Sequence, residues 1–202
     1  MSDVLPLAPP SVIAASLTPA QRRVVAAAHE LFTRHGISGT SLQMIADGLG
    51  VTKAAVYHQF ATKDEIVVAV TATELVSLEE ALDRADLEPD PEAALDQLIE
   101  QLVETAVTRR RSLTMLQHDP VVTRVLLDHE PFAVQMNRLY RYLARGDITD
   151  SRVRVQAAMV ATAIGACSVH PLVIDLDDDV VRPQMLHYAR WLVRIPFVPP
   201  AG

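Results

Sequence analysis

Four side chains between residues 53 and 58 carry the most informative chemistry in the chain. Lys53, Ala54, Tyr57 and His58 stand at i, i+1, i+4 and i+5, a spacing that gathers them on one face of a 3.6-residue helix. A cation, a phenol and an imidazole around a small residue let another backbone come close. Such a face suits the major groove, its first turns on base edges and its flanks on phosphates. Other groupings suggest different chemistry. Cys167 and His170, at i and i+3, would supply two of four zinc ligands per copy if a twofold axis paired two chains. His118-Asp119 and Asp128-His-Glu130 have the residue types of a hydrolase or metal site. No Glu-x-x-His pair, Gly-x-Ser-x-Gly elbow or phosphate-binding glycine loop accompanies them. No catalytic residue, metal ligand or cofactor is therefore assigned.

The elements that must position residues 53–58 are legible around them. Leu42, Ile45, Ala46 and Leu49 fall at i, i+3, i+4 and i+7, one apolar stripe of a helix lying on a core. Gly50 follows, where a sharply turning helix needs a residue that tolerates positive φ, and Thr52 caps the next helix. In that second helix Val56 and then Phe60 face inward. Three capping boxes frame the region, at Thr18-Pro-Ala-Gln21, Thr40-Ser-Leu-Gln43 and Thr62-Lys-Asp-Glu65. The first opens a helix with the stripe Val24, Val25, Ala28, Leu31 and Phe32, closed by Gly36.

From about Thr18 to Glu74 this pattern resembles the DNA-binding domain of the TetR family of transcriptional repressors. The matching residues are Phe32-Thr-Arg-His-Gly36, Gly39-Thr-Ser, Ile45-Ala46, Leu49-Gly-Val-Thr-Lys53, Val56-Tyr57, Phe60 and Lys63-Asp-Glu65. The resemblance implies that Gln43, Lys53, Ala54 and Tyr57 read bases, and that Thr40, Thr52, Ala55, His58 and Lys63 hold phosphates. One position departs from the family pattern. Gln59 stands where a histidine is common; its amide still bonds a phosphate but carries no pH-dependent charge.

The overall formal charge of −7 looks wrong for a DNA binder until it is divided by region. Arg22, Arg23, Arg34, Lys53 and Lys63 face only Glu30 and Asp47 between residues 18 and 63, a net +3, while the acidic excess lies elsewhere. The basic end faces DNA and the acidic body is repelled by it, which disfavours a general polyanion coat. Cys167 is the single cysteine of 202 residues, so no intrachain disulfide forms and a reducing compartment is the natural reading. The first 16 residues lack Lys and Arg and are broken by Pro6, Pro9 and Pro10. They read as a disordered arm of a cytoplasmic protein rather than a signal peptide.

Beyond Thr62 a long helix continues through Leu82, and Leu87-Glu-Pro-Asp-Pro91 breaks it. A helix from Glu92 runs towards Arg109-Arg-Arg111, a triplet that complements a helix C-terminus more simply than it binds nucleic acid. Short helices are expected after Pro120 and Pro131, and no alternating strand pattern occurs. Met115, Phe132, Met136 and Tyr140 are the kind of lining a pocket for a small apolar molecule uses, and equally the kind of residue that fills a core. The resemblance implies an inducer in this layer without saying which.

Residues 155–174 contain no Asp, Glu, Lys or Arg. Their alanines, polar residues and Pro171 argue against a membrane span. A helix apolar all round must be covered all round. Ala157, Ala161 and Gly165 recur every four residues, and with Ile164 and the last helix's Leu186 and Ala189 they form the expected dimer seam. The last helix is expected over about Pro183 to Val193.

The fold class expected is all-α. Residues 1–16 are an arm, and 17–63 a three-helix helix-turn-helix bundle whose connecting helix starts at 62. Residues 64–202 form a larger helical effector-binding and dimerisation domain. Double-stranded DNA, a second copy of the chain and a small-molecule effector of unknown identity are the expected partners, with no membrane and no cofactor. A small helical enzyme or metal-binding dimer, in which the helical hairpin is only packing, remains the alternative. The expected function is a repressor released from a palindromic operator by a small, mostly apolar effector, with an activator as the third reading.

Overall fold

Side-chain caps start most helices of this chain, and glycine or proline stops several of them. The computed structural model describes residues 8–110, 112, 119–145 and 148–195. Ten α-helices occur among them: α1 (Pro10–Ser16), α2 (Pro19–Gly39), α3 (Leu42–Leu49), α4 (Lys53–Gln59), α5 (Lys63–Leu87), α6 (Pro91–Thr108), α7 (Pro120–Asp128), α8 (Glu130–Ala144), α9 (Ser151–Cys167) and α10 (Asp178–Arg194). No strand occurs among the described residues. The chain forms two compact units, 1–80 with 111–136, and 81–110 with 137–202. This division departs from a boundary at 63/64, because among the described residues Ile66, Val67, Val70, Val122 and Phe132 pack in one core with the N-terminal helices.

In the first unit the expected capping box at Thr18 is complete. Thr18 Oγ1 accepts the Gln21 N–H at 3.2 Å, and Gln21 Oε1 accepts the Thr18 N–H at 3.0 Å. Helix α2 breaks at Gly36, whose φ of 70° and ψ of 163° lie in a region essentially closed to residues with a Cβ. Two boxes are corrected. The cap of α3 is Ser41, which accepts the Met44 N–H at 3.2 Å, rather than Thr40. At the start of α5, Thr62 accepts the Glu65 N–H, but Glu65 reaches back to the Ala61 N–H at 2.7 Å.

The arm expectation also needs correction where the structure describes it. Pro10–Ser16 is helical, and Ile13 with the following Leu17 is buried in the core. Ile13 and Leu17 thus pack internally, and Glu79 Oε2 accepts the Ser11 N–H at 2.7 Å. The same core holds Val24, Ala28, Phe32, Ile45, Val56, Phe60, Ile66, Val70, Val122 and Phe132.

His129 closes this core at the α7–α8 junction. Its ring stacks on Phe132 with centroids 4.1 Å apart, and both ring nitrogens are buried without a hydrogen-bond partner. Burial pushes its pKa below the ordinary imidazole value. The unfolded chain protonates this group near pH ~6.5 while the folded one resists. His129 therefore adds no pH-dependent cost above that pH, and stability is lost as pH falls below it. The melting temperature should drop more between pH 7.5 and 5 in the wild type than in His129→Phe. Parallel pH profiles of the two would contradict this assignment.

In the second unit α10 packs on both α6 and α9. A ladder of arginines on α10 faces carboxylates on α6. Arg190 meets Glu100 at 2.6 Å, Arg194 meets Asp96 at 2.7 Å, and Arg182 pairs with Glu104. Arg110 of the arginine triplet is held by Asp178, so that charge serves the fold. Arg138 bridges Asp83 and Asp86, and the Tyr142 hydroxyl donates to Asp86 at 2.6 Å. Burial together with that carboxylate pushes the Tyr142 pKa up to about 12.

Helix α10 begins at Asp178, earlier than Pro183 suggests. Asp178 and Asp179 occupy its first turn, and Pro183 sits inside the helix; carboxylates are stabilised at a helix N-terminus, and one proline near it removes a single bond. The residues of the expected dimer seam differ in burial within the single chain. Ala157, Ile164, Gly165 and Ala189 are buried within the single chain, and Ala161 and Leu186 are partly buried. The face left open on α9 carries Val155, Ala158, Met159, Thr162 and Ala163, and on α10 Val180, Tyr188 and Trp191. A groove of about 320 Å³ in this unit is lined by Arg84, Gln97, Glu100, Gln101 and Glu104 and is polar rather than apolar.

Candidate nucleic-acid interface

The candidate interface rests on two short helices whose inward residues are few and fully used. Leu42, Ile45 and Ala46 of α3 are buried, as are Val56 of α4 and the following Phe60. Gly50 takes φ 66° and ψ 33° and ends α3, with Val51 N–H donating to Ala46 C=O at 3.0 Å. Thr52 then caps α4 by accepting the Ala55 N–H at 3.2 Å. The turn is thereby fixed by glycine conformation at one end and a hydroxyl at the other, which settles the angular position of α4.

That position brings the expected readers into the open together. Lys53, Ala54, Ala55, Tyr57 and His58 are all exposed, Tyr57 by 48%. The Lys53 ammonium lies 5.7 Å from the centroid of the Tyr57 ring, within cation–π range, so cation and phenol form one contact patch. His58 Nδ1 lies 3.2 Å from Gln59 Nε2. The amide nitrogen donates there and Nδ1 accepts. On α3, Gln43 is exposed and donates to Asp47 at 2.7 Å.

Two residues expected to hold phosphates are placed differently. Thr40 is only 2% exposed. Its hydroxyl donates to Gly36 C=O at 2.9 Å, and its N–H to Ile37 C=O at 3.2 Å. Lys63 folds back on the same turn. Its ammonium donates to Thr40 C=O at 2.6 Å and to Ile37 C=O. Both polar ends are consumed by the chain because α2 breaks at Gly36 and ends at Thr40, which leaves carbonyls that need donors. Thr52 remains exposed, and its hydroxyl proton is free of the cap.

Of the residues expected around an effector, Phe132, Met136 and Tyr140 follow one another at one-turn spacing along α8. Phe132 is fully buried in the first unit's core, and Met136 packs against it. Tyr140 belongs to the second unit, where burial raises its pKa. Met115 lies outside the described residues, as does His118. Phe132 and Met136 thus serve as core. His170 accepts the Leu172 N–H at 3.2 Å through Nδ1, closing the turn after α9.

Sequence reading missed Asp119 as a structural partner of the α2 end and missed the open face of α9 and α10. The second left a signal, since Val155 and Met159 are four apart and Tyr188 and Trp191 three apart.

Comparison with known proteins agrees with this geometry. Residues 24–70 match the family model described as bacterial regulatory proteins, tetR family. No curated protein matches the chain. Among solved structures, a TetR family transcriptional regulator, PfmR from Thermus thermophilus, is 23% identical, with 90% of this chain and 99% of that one covered and a TM-score of 0.64. The fatty acid degradation regulator FadR from Bacillus halodurans is 14% identical, covering 85% and 95%, with a TM-score of 0.62. AibR, solved with isovaleryl coenzyme A and operator DNA, is 18% identical, covering 84% and 97%, with a TM-score of 0.62. At these identities the likeness concerns the fold. Among the described residues no helix is long and apolar enough to cross a membrane.

Proposed function

Starting from a TetR-family helix-turn-helix domain at residues 24–70, we propose that the chain is a homodimeric transcriptional repressor, released from a palindromic operator by a small, mostly apolar effector. The observation that carries the DNA-binding reading is the open face of α4, where Lys53, Ala54, Tyr57 and His58 project from a helix fixed by its own caps. Twofold pairing through the uncovered face of α9 and α10 would give two such helices and a palindromic site. The effector part of the proposal draws on the fold shared with AibR, which was solved with isovaleryl coenzyme A. Release follows from linkage: the effector must bind the DNA-incompetent state more tightly than the competent one.

The test is fluorescence anisotropy with DNA from upstream of the gene, across a salt series and with non-specific competitor. Specific binding should exceed competitor binding by at least about a thousandfold. Arg22 donates to Leu17 C=O, Arg34 pairs with Glu30, and Lys63 is held by carbonyls, which leaves Arg23 and the base-reading Lys53 as the reader's cations that displace counterions. Two per subunit give a dimer slope of about −4 in log K against log salt. Tyr57→Ala should cost about 1–3 kcal/mol of discrimination between operator and competitor and leave that slope unchanged. Loss of slope without loss of discrimination would reassign Tyr57 to the backbone, and failure of a genome-wide selection to enrich any sequence would sink the proposal.

A further inference from the structure

Asp119 sits where the sequence suggested hydrolase chemistry, and its geometry shows other work. Its Oδ1 accepts the Val121 N–H at 2.9 Å, capping α7. Its Oδ2 accepts the Ile37 N–H at 3.0 Å, 82 residues away in sequence. Ile37 directly follows the Gly36 break in α2, and its own carbonyl is taken by Lys63 from the first turn of α5. The two peptide units that flank Ile37 are therefore held one by Asp119 and the other by Lys63. Thr40 closes the turn onto Gly36, and Ser41, the cap of α3, follows at once. There is no slack between Ile37 and the first reading helix. The other polar tie from α7, Arg124 to Asp64 at 3.5 Å, joins two exposed side chains and holds little.

We propose that Asp119 is a positioning residue for the DNA-reading helices, fixing the Gly36–Thr40 turn from α7 so that α3 and α4 respond to whatever moves the first turn of α7. The assignment rests on the DNA-binding reading for its functional consequence, and on the hydrogen bonds alone for its structural part. A carboxylate is the only side chain of this length with two acceptors, and both are used. Asparagine and serine cap helices well with a single oxygen. Asp119→Asn and Asp119→Ser therefore keep the α7 cap and cut the tie to Ile37.

The experiment is amide exchange and amide chemical shifts of the full chain by NMR, beside operator and competitor binding, in wild type and both variants. The expected result is exchange at Ile37 faster by at least about tenfold, the worth of one lost hydrogen bond. The Val122–Leu126 amides should stay protected and those of residues 41–59 should shift. The ratio of operator to competitor affinity should fall by about tenfold, an effect that simple loss of stability does not produce. Unchanged exchange at Ile37 in both variants, or faster exchange with unchanged discrimination, would overturn the assignment. Should the wild type bind no DNA selectively, the repressor reading fails by itself. The shifts across residues 41–59 then decide the matter, and shifts confined to Gly36 and Ile37 would overturn it.

Discussion

Trp191→Glu should leave the protein monomeric at concentrations where the wild type sediments as a dimer, and should reduce operator affinity by at least about a hundredfold. Trp191 is 60% exposed in the single chain, close in sequence to Tyr188 at 58%, while Met185, Ala189 and Val193 bury the opposite side of α10. The substitution therefore spares the unit's own core, and circular dichroism should be unchanged. In a twofold contact it places two carboxylates in an apolar interface at an effective cost of several kcal/mol each. About 4 kcal/mol in total already raises a dimer Kd by about 10³. A monomer would read only one half-site. Sedimentation of Trp191→Glu as an intact dimer would show that another surface pairs the subunits.

Lys63→Met should destabilise the reading domain rather than trim a phosphate contact. The methionine keeps the aliphatic stem and removes the ammonium that Ile37 C=O and Thr40 C=O share. Charge-assisted bonds contribute about 1.5–3 kcal/mol each, and Lys63 is only partly buried, so a loss of about 2–3 kcal/mol is expected. For a chain of this size that lowers the melting temperature by roughly 5–10 °C. The two roles separate cleanly in measurement. A phosphate-binding Lys63 predicts an unchanged melting temperature and a salt slope reduced by about one unit per subunit. The internal staple predicts a lower melting temperature with the slope retained, and the first outcome would return Lys63 to the role its resemblance implied.

How much was legible depended on the range of the interaction involved. The Thr18 capping box, the Gly36 and Gly50 turns, the Thr52 cap and the inward Val56 and Phe60 all appear in the structure as their spacing implies. Each depends on residues within about one helical turn of one another, where backbone geometry leaves few options. The outward face of α4 was legible for the same reason. The internal partners of Thr40 and Lys63 were not legible because they lie in a turn whose carbonyls become available only after α2 breaks. The Ile37–Asp119 bond, spanning 82 residues, leaves no periodic trace at all.

The dimer seam marks the limit most clearly. An alanine and glycine repeat on α9 announces close helix packing, and close packing is what Ala157, Ile164 and Gly165 show. It does not announce whether the neighbouring helix belongs to the same chain. By itself the sequence determined an all-helical protein and the helix-turn-helix of α3 and α4, with the inward and outward faces of both. Only the tertiary structure decided which side of α9 remains open, that Phe132 is core, and that Lys63 and Asp119 grip the turn before α3. Periodicity fixes a helix's faces relative to one another, whereas the partner of each face is chosen by competition among distant segments for the same buried surface.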